Sequence, residues 1–381
     1  MRDNGAVGAK VQLADFSDPA FWRAVCPELS ATDVSDQCDL SSLPQPMRLP
    51  GGVSDSIRQQ IDREGACVVT PEQLPWQHVH WSRLASAVEQ LMQKGWPPTF
   101  LLMYDEVWHI IHQLDAVMQA TTGNTCNLDI LAWHIDPRQG GAGFSPHRDR
   151  QPDSAPDTFR PDGSAMYTTA WLPLVPATPD NSCLYVIPRW ADPGYFEGDD
   201  DQGPGPLAAA LRDKEAYQGI RALPADPGAA VLFTHRTIHW GSKGRPGHPH
   251  PRISLSFGCS GPEYEPPYFE RCHLPLPPLG LRAALACGQM IVYHERFHFS
   301  RRQLLQFHSV FKSHISQFHP SYQASVLKEF VAACKELEAG AAAAAGPAAS
   351  NPATSTAQLT DAAASPHPPG AGAAGLPRHT R

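Results

Sequence analysis

The sequence predicts a mainly β fold with flanking helices, and three zones of the 381-residue chain support this prediction. Between about residues 126 and 260, short apolar runs are separated by proline and glycine, which is typical of an all-β core. Helical periodicity precedes this zone and returns after residue 278. The zones therefore indicate one β-barrel with helices packed around it.

The individual elements follow from the same periodicities. Before the core, helices are predicted over residues 54–64, 82–94 and 105–121, the last with an apolar stripe on one face. Within the core, strands are predicted over residues 128–135, 167–175, 183–187, 229–234 and 253–259. After the core, helices are predicted over residues 279–289, 300–317 and 321–338.

We divide the chain into four regions on this basis. Residues 1–60 are an N-terminal helical extension, residues 61–275 are the barrel core, and residues 276–338 are a C-terminal helical region that packs on the core. The tail, residues 339–381, is rich in alanine and proline and has almost no large apolar side chain. We expect the tail to be disordered, because it cannot bury enough surface to offset its chain entropy.

The composition restricts the classes of partner. Hydrophobic residues make up 42% of the chain, enough for a sizeable core, and a formal charge of −8 gives no electrostatic reason to expect nucleic acid. Nine cysteines without a CxxC pair indicate a reducing compartment, which we take to be the cytoplasm. No stretch reaches the roughly 18 apolar residues of a membrane span. We expect a soluble protein whose partner is a small-molecule substrate or another protein, not nucleic acid or a membrane.

A short motif in the core zone has the spacing of a metal site. Side chains two apart in an extended segment point the same way, so His147 and Asp149 can face one ion. Two histidines and one carboxylate on one face of iron leave open positions for O2 chemistry. His239 is the best candidate for the second histidine, because it follows a predicted strand and precedes Trp-Gly-Ser. We therefore predict a metal site at these three residues, which would also be the catalytic centre.

A second motif of the same spacing competes for this role. His134 and Asp136 end an apolar strand and run directly into a proline, whereas His147 follows a glycine-rich loop, 140–144. Glycines let a backbone turn into the mouth of a barrel, which favours the later motif. We interpret His134 as a strand-end residue whose hydrogen bonds are met by its neighbours.

A single arginine lies on the strand that follows His239. The intervening loop is broken by glycines and prolines, and we expect it to form a hairpin that returns into the barrel. Arg252 and Ser254 share one face of the returning strand, so a guanidinium and a hydroxyl can both meet a carboxylate. A surface arginine at a loop end is the ordinary alternative, but the apolar strand around Arg252 favours burial beside an anion.

The ordered set of motifs resembles the phytanoyl-CoA dioxygenase family of oxygenases. The matching pieces occur in family order over about residues 60 to 260: Phe144-Ser145-Pro146-His147-Arg148-Asp149, Ala170-Trp171-Leu172-Pro173-Leu174, Asp180-Asn181-Ser182-Cys183-Leu184-Tyr185-Val186-Ile187-Pro188, Pro227-Gly228-Ala229-Ala230-Val231-Leu232-Phe233, Thr237-Ile238-His239-Trp240-Gly241-Ser242 and Arg252. The resemblance implies a double-stranded β-helix of the jelly-roll or cupin type.

The resemblance also implies the cofactors and their residues. It implies iron(II) at His147, Asp149 and His239, and 2-oxoglutarate and O2 as co-substrates, with the distal carboxylate of 2-oxoglutarate on Arg252. His235 ranks second to His239 as a ligand, because Trp-Gly-Ser after His239 is the better family match. In related enzymes an aromatic residue at the position of Trp171 lines the co-substrate pocket, and plain core packing is the alternative role.

The chain departs from the family pattern at two places. Ser182 stands where the family usually has glycine, and Arg189-Trp190-Ala191 stands where it has Gly-Ser-His, so we expect the loop beside the site to be remodelled. Related halogenases have a small residue at the position of Asp149, and its presence here argues against halogenation.

The expected reaction is hydroxylation of a small-molecule or lipid-derived substrate, with release of succinate and CO2. A protein side-chain hydroxylase of the same fold and a non-catalytic barrel that serves as a binding module are the alternatives. A zinc hydrolase with the same three ligands would have no use for Arg252. The histidines between residues 294 and 319 are interpreted as part of ordinary amphipathic helices.

Overall fold

A computed structural model describes residues 13–33, 44–149, 155–198, 205–273, 276–297 and 299–345. Eight helices are present in these residues: α1 (Pro19–Val25), α2 (Val53–Glu64), α3 (Trp81–Gln93), α4 (Asp105–Thr122), α5 (Pro206–Ala210), α6 (Leu279–Val292), α7 (Arg301–Ser313) and α8 (Pro320–Ala345). The eight strands are β1 (Ala66–Val69), β2 (Thr125–Ile135), β3 (Tyr167–Pro173), β4 (Leu184–Val186), β5 (Arg221–Leu223), β6 (Ala230–Thr234), β7 (His239–Gly241) and β8 (Arg252–Ser260).

The chain separates into a large unit, Met1–Cys334, and a short second unit, Lys335–Arg381. The predicted tail begins at residue 339, whereas helix α8 extends to Ala345. The remainder of that predicted tail, residues 346–381, lies outside the described residues.

The strands form two antiparallel sheets. The larger sheet has the order β1-β6-β3-β8-β2 and the smaller one has the order β5-β4-β7. Apolar side chains from both sheets pack into one cluster, which includes Trp171 and Phe233 of the larger sheet and Leu184 and Val186 of the smaller one. The core therefore lies between the two sheets, where each strand buries its inward-facing residues.

Two expectations about this architecture were wrong. Helices hold more of the described residues than strands do, so the fold is not mainly β, and the described strands do not close into a barrel by hydrogen bonding. The strand pattern marked a zone of the chain, but only about a third of the described residues in that zone belong to strands. The predicted hairpin before Arg252 is also wrong, because β7 pairs with β4 whereas β8 pairs with β2 and β3. Residues 242–251 instead cross from one sheet to the other.

The helices lie close to their predicted positions, and local signals account for their ends. Helices α2 and α4 end at Gly65 and Gly123, both of which have the left-handed backbone that favours glycine. Helix α7 begins at Ser300, which forms a capping box with Gln303. Three strands were not predicted, namely β1, β5 and β7. Each has only three or four residues, too few for alternation to be recognised.

The helices before and after the sheets are joined by buried polar contacts. Arg282 of α6 donates to Asp105 of α4 at 2.6 Å, and both side chains are almost fully buried. Gln289 of α6 donates to the carboxylate of Asp129 on β2 at 2.8 Å. These contacts fix α6 against α4 and against β2 of the larger sheet. No helix in the described part of the chain is both long enough and apolar enough to cross a membrane.

Ser182 occupies a backbone conformation that suits glycine. It ends the 3-10 turn Pro179–Asn181 with φ at 78° and ψ at 52°, in the left-handed region. Its side chain is buried, and the hydroxyl has no hydrogen-bond partner among the described residues. Both features cost free energy in the folded state.

Replacing Ser182 by glycine should therefore stabilise the protein. We expect Ser182→Gly to raise the free energy of unfolding by about 1 kcal/mol, because relief of the left-handed strain and of the buried hydroxyl outweighs the added chain entropy. Urea unfolding measures the change. Ser182→Ala is the matched control, since it removes the hydroxyl but keeps the strain, and should gain less. Equal stabilities for Ser182→Gly and wild type would show that the turn is unstrained.

Candidate functional site

A short backbone pairing brings two of the predicted ligands together. His147 and His239 form an antiparallel bridge at the free edge of β7, in which each backbone N–H donates to the other's carbonyl, at 3.1 and 3.0 Å. Residues directly opposite in an antiparallel pair hold their side chains on the same face. The two imidazole rings accordingly lie 4.3 Å apart, measured between centroids.

The third predicted ligand approaches the same point. The backbone N–H of Asp149 donates to the carbonyl of His235 at 3.1 Å, which holds the segment beside the turn before β7. The Oδ1 atom of Asp149 lies 3.5 Å from Nε2 of His147 and 3.3 Å from Nε2 of His239. Its Oδ2 atom accepts a hydrogen bond from the hydroxyl of Thr169 on β3. Three possible ligand atoms therefore face one point, within 4.8 Å of one another.

A backbone carbonyl contacts Nδ1 of each imidazole ring and so orients the ring. Nδ1 of His147 lies 2.7 Å from the carbonyl oxygen of Ser145, and Nδ1 of His239 lies 3.1 Å from that of Thr237. A ring nitrogen that donates to a carbonyl leaves the other nitrogen as the acceptor, which is the usual arrangement of metal-binding histidine. The Nε2 atoms that face Asp149 are thus the ones available to an ion, and the set fits a divalent metal.

The electrostatics of the three groups agree with this arrangement. Burial raises the pKa of the Asp149 carboxyl, but the facing imidazoles of His239 and His147 outweigh burial and hold that pKa well below its ordinary value. Burial lowers the pKa of His239, and the Asp149 carboxylate more than offsets this and raises it. The site therefore keeps an ionised carboxylate between two nitrogen donors.

The residue between the two ligands anchors their segment. Arg148 points away from His147 and Asp149, into the protein, where it is almost completely buried. It forms a bidentate ion pair with Asp192, with N–O distances of 2.5 and 2.9 Å, and it also donates a hydrogen bond to the backbone carbonyl of Arg236. A paired guanidinium of this kind fixes the strand direction and so helps to aim both ligand side chains.

The loop before His147 approaches β7 so closely that only glycine fits. A Cβ atom added to Gly143 would lie 2.4 Å from the Cα atom of Gly241, a separation that real Cβ atoms do not show. The glycine-rich loop thus has a function in packing, because it lets the segment of His147 lie beside β7.

Arg252 lies on β8 with its charge buried and unbalanced. Its side chain is about 3% exposed, and its Nε atom has no hydrogen-bond partner among the described residues. Burial lowers the pKa of its guanidinium to about 10. Within the described part of the chain, no carboxylate pairs with it. A buried cation without a counter-charge is costly, so this position is suited to an anionic ligand.

The other two predicted co-substrate residues lie beside Arg252. The guanidinium carbon lies 5.4 Å from the centroid of the Trp171 ring, which packs in the apolar cluster between the sheets. Ser254 follows on the same face of β8, and its buried hydroxyl has no partner among the described residues. Trp171 thus combines the two roles considered for it, since it packs in the core and also borders the guanidinium.

The competing candidates have other contacts. The Asp136 carboxylate accepts two hydrogen bonds from the guanidinium of Arg138, both at 2.9 Å, and also caps a 3-10 turn. His235 is buried with Nδ1 3.0 Å from the carbonyl oxygen of Tyr167, and its own carbonyl supports Asp149. Arg245, a basic residue of the loop that precedes Arg252, is exposed and pairs with Asp180 at 2.9 Å. The structure therefore gathers His147, Asp149 and His239, and does not bring His134 and Asp136 to the same point.

Sequence reasoning missed three residues that support the site. Thr169 holds the Asp149 carboxylate, Asp192 pairs with Arg148, and the ring of Phe233 lies 4.3 Å from that of His239. Thr169 could have been predicted from the sequence, because it lies on the same strand face as Trp171. Asp192 had no signal, because it lies in a loop far along the chain from Arg148.

The loop that departs from the family pattern docks on helix α2. The guanidinium of Arg189 donates to the carbonyl of Asp62 at 2.6 Å, and the indole N–H of Trp190 donates to Glu64 at 2.8 Å. Arg189 also lies over the ring of Phe196 at 4.5 Å. Where the family pattern has Gly-Ser-His, this chain thus has side chains that contact the C-terminal end of α2.

The close approach at Gly143 predicts a specific effect on metal binding. Gly143→Ala should push the loop away from β7, weaken the bridge between His147 and His239 and lower iron(II) affinity by roughly tenfold or more, since each 1.4 kcal/mol is tenfold. Anaerobic calorimetric titration measures the affinity. Gly51→Ala is the control, because no atom lies within 4 Å of the added Cβ. Unchanged affinity in Gly143→Ala would show that the pairing does not position the ligands.

Comparison with known proteins agrees with this geometry. Residues 96–247 match the phytanoyl-CoA dioxygenase (PhyH) family, a stretch that contains all three predicted metal ligands. No curated protein matches the chain.

Solved structures provide distant likenesses. One is the epimerase SnoN in complex with Fe3+, alpha ketoglutarate and nogalamycin RO, at 17% identity and a TM-score of 0.40, covering 55% of this chain and 84% of that one. Another is the carbocyclase SnoK from nogalamycin biosynthesis, at 13% identity and a TM-score of 0.41, covering 57% and 87%. EctD from S. alaskensis with bound Fe has 15% identity and a TM-score of 0.40, covering 57% and 84%. Over residues 96–247, the chain is similar to the phytanoyl-CoA dioxygenase family, whose members are non-haem iron dioxygenases that depend on iron(II), 2-oxoglutarate and O2.

Proposed function

We propose that this protein hydroxylates a small-molecule or lipid-derived substrate, with iron(II) held by His147, Asp149 and His239. The observation that carries the proposal is the buried guanidinium of Arg252, which lacks a carboxylate partner in the described part of the chain. A binding module or a zinc hydrolase has no need for this charge. A dicarboxylate co-substrate does, because its distal carboxylate balances the guanidinium.

The protein's part in iron binding is to fix three ligand atoms before the metal arrives. The bridge between His147 and His239 sets the ring separation, and the carbonyls of Ser145 and Thr237 set the ring orientation. Thr169 occupies one oxygen of Asp149 and so leaves the other for the metal. Such supporting contacts commonly strengthen metal affinity.

Arg252, Ser254 and Trp171 would hold 2-oxoglutarate. The guanidinium supplies two parallel donors to one carboxylate, and the unpartnered hydroxyl of Ser254 supplies a third. The indole ring of Trp171 limits the space around the guanidinium and keeps water away from it. These three side chains orient the co-substrate, since its other end must reach the metal ligands.

Iron and 2-oxoglutarate, when bound, supply the oxidation by O2 that converts 2-oxoglutarate to succinate and CO2 and hydroxylates the substrate. The ring of Phe233 lies beside that of His239, and it belongs with Val231 to the apolar cluster between the sheets. These residues exclude water and so protect the oxidising centre from side reactions.

The strand order supports a double-stranded β-helix as the finer description of the fold. The bridge at His147 adds a fourth segment to the smaller sheet beyond β7, which then faces β6, β3, β8 and β2 of the larger sheet. When the bridged segment of His147 is counted between β2 and β3, successive segments from β2 to β8 alternate between the two sheets, apart from the step from β4 to β5, as they do in a jelly roll. We propose that residues 61–275 are the oxygenase core and that residues 276–338 pack on it.

The two competing motifs give a direct test of the metal ligands. Asp149→Ala should lower iron(II) affinity by about a hundredfold or more and leave the fold intact, because it removes the one charged ligand. Asp136→Ala is the matched control and should keep wild-type affinity. Anaerobic titration with iron(II) measures the affinity of both variants, and circular dichroism checks that they fold. Normal iron binding in Asp149→Ala, with loss in Asp136→Ala, would transfer the site to His134 and Asp136.

The anchor for 2-oxoglutarate is tested at Arg252. Arg252→Ala should raise the dissociation constant of 2-oxoglutarate by about a hundredfold and leave iron affinity unchanged, since a lost charge-assisted contact costs a few kcal/mol. The visible charge-transfer band of the anaerobic iron(II) complex reports the binding. Arg252→Lys should recover only part of the lost affinity, because an ammonium cannot donate the two parallel hydrogen bonds that a planar guanidinium donates to one carboxylate.

The exposed Arg245 provides the control for this experiment. Arg245→Ala should bind 2-oxoglutarate as wild type does, because its guanidinium already pairs with Asp180 at the surface. If Arg252→Ala bound normally and Arg245→Ala or a Lys243 variant did not, the anchor would be misassigned.

A further inference from the structure

An aromatic cleft of about 320 Å³ includes Phe144, three residues before His147. Its walls come from the C-terminal end of β2, the glycine-rich loop and the 3-10 turn after α6, with Met92 of α3 and Pro98 completing the lining. The aromatic members are Trp133, Phe144 and Phe297, and Arg296 is the charged member. The function proposed above leaves this cleft unassigned.

Two lining residues connect the cleft with the proposed reaction centre. The ring of Phe144 lies 5.4 Å from that of His147, measured between centroids. Trp133 pairs directly with Ser254 across β2 and β8, so their side chains share a face of the larger sheet. A molecule in the cleft would therefore contact Phe144, which neighbours a metal ligand, and Trp133, which neighbours a co-substrate residue.

The aromatic rings shape the cleft for a flat apolar body. Trp133 and Phe297 are almost parallel, with an angle of 8° and centroids 5.8 Å apart, and Phe144 stands edge-on to Trp133 at 4.8 Å. All three rings are only half-buried. Grouped, partly exposed aromatic surface is typical of a ligand site, because binding removes that surface from water.

The charge of the cleft selects for an anion. Arg296 is exposed, and its guanidinium carbon lies 4.4 Å from the centroid of the Phe144 ring, so the charge is held over the aromatic wall. Among the described residues that line the cleft, none is acidic. The nearby carboxylate of Asp136 is already paired with Arg138. The cleft thus presents one cation, and no acidic residue of its lining neutralises that charge.

We propose that this cleft is the subsite for the prime substrate, an organic acid with a flat apolar body. The body lies among Trp133, Phe144 and Phe297, and the carboxylate, sulfonate or phosphate group meets Arg296. The inference rests on the proposed function, because it takes His147, Asp149 and His239 as the centre that the substrate must reach.

A pair of probes that differ in one charge tests this subsite. Anilinonaphthalene sulfonate carries an aromatic body and one anionic group, and phenylnaphthylamine is its uncharged parent. Both are titrated by fluorescence into the anaerobic protein loaded with iron(II) and 2-oxoglutarate. Arg296→Gln should weaken the sulfonate probe by about tenfold and the neutral probe by less than about twofold.

Two further variants complete the design. Ala142→Trp fills the cleft from an exposed position of its lining and should weaken both probes. Arg302→Gln, on the exposed face of α7, is the control for loss of a surface charge and should weaken neither.

The outcomes separate this inference from the proposed function. Unchanged sulfonate affinity in Arg296→Gln, or an equal loss of both probes, would overturn the subsite for an anion. The charge-transfer band of the iron(II) and 2-oxoglutarate complex is recorded in the same samples. A normal band with no dependence of the probe on Arg296 would refute the subsite alone. If binding of the sulfonate probe depended on Arg296 but wild type showed no charge-transfer band, the result would support the cleft as an anion site and refute the proposed cofactors.

Discussion

The backbone bridge between His147 and His239 is the contact on which the site depends. Two strand segments that are distant in the sequence exchange hydrogen bonds there, and this places their imidazoles 4.3 Å apart. The pairing is possible because Gly143 lets the loop approach β7, and it is held in direction by the buried ion pair of Arg148 with Asp192. Asp149 lies two residues after His147, so in an extended segment its side chain points to the same side as the imidazole. The close approach of the three side chains is thus a consequence of strand pairing and not of any single side chain.

A second constraint comes from charge inside the protein. The buried ion pair between Arg148 and Asp192 is internally balanced, whereas Arg252 has no carboxylate partner among the described residues. Proteins tolerate an unbalanced buried cation poorly, so the position of Arg252 is suited to an anionic ligand. Arg296 in the aromatic cleft is exposed, and no acidic residue of the cleft lining neutralises its charge. In the function proposed here, Arg252 serves the co-substrate and Arg296 serves the substrate.

Much of this arrangement was predictable because it depends on local patterns. The two-residue spacing of His147 and Asp149, the glycines before them and the alternation around Arg252 are all visible in the sequence. The family resemblance joined these pieces and was confirmed by the match over residues 96–247. What was not predictable depends on long-range pairing. Thr169 reaches Asp149 only through the register of the sheets, and the hairpin expected before Arg252 was wrong because the loop crosses between sheets. Strands of three residues, such as β7, carry too little periodicity to be found.

In the function proposed here, one metal and one carboxylate are held at these particular residues. A crystal structure of the protein grown without oxygen, with iron(II) and 2-oxoglutarate, tests this most directly. We expect a metal bound to Nε2 of His147, Nε2 of His239 and an oxygen of Asp149, and a 2-oxoglutarate carboxylate within hydrogen-bond distance of Arg252. A metal on His134 and Asp136, or a 2-oxoglutarate carboxylate bound elsewhere while Arg252 stayed without an anion, would contradict it.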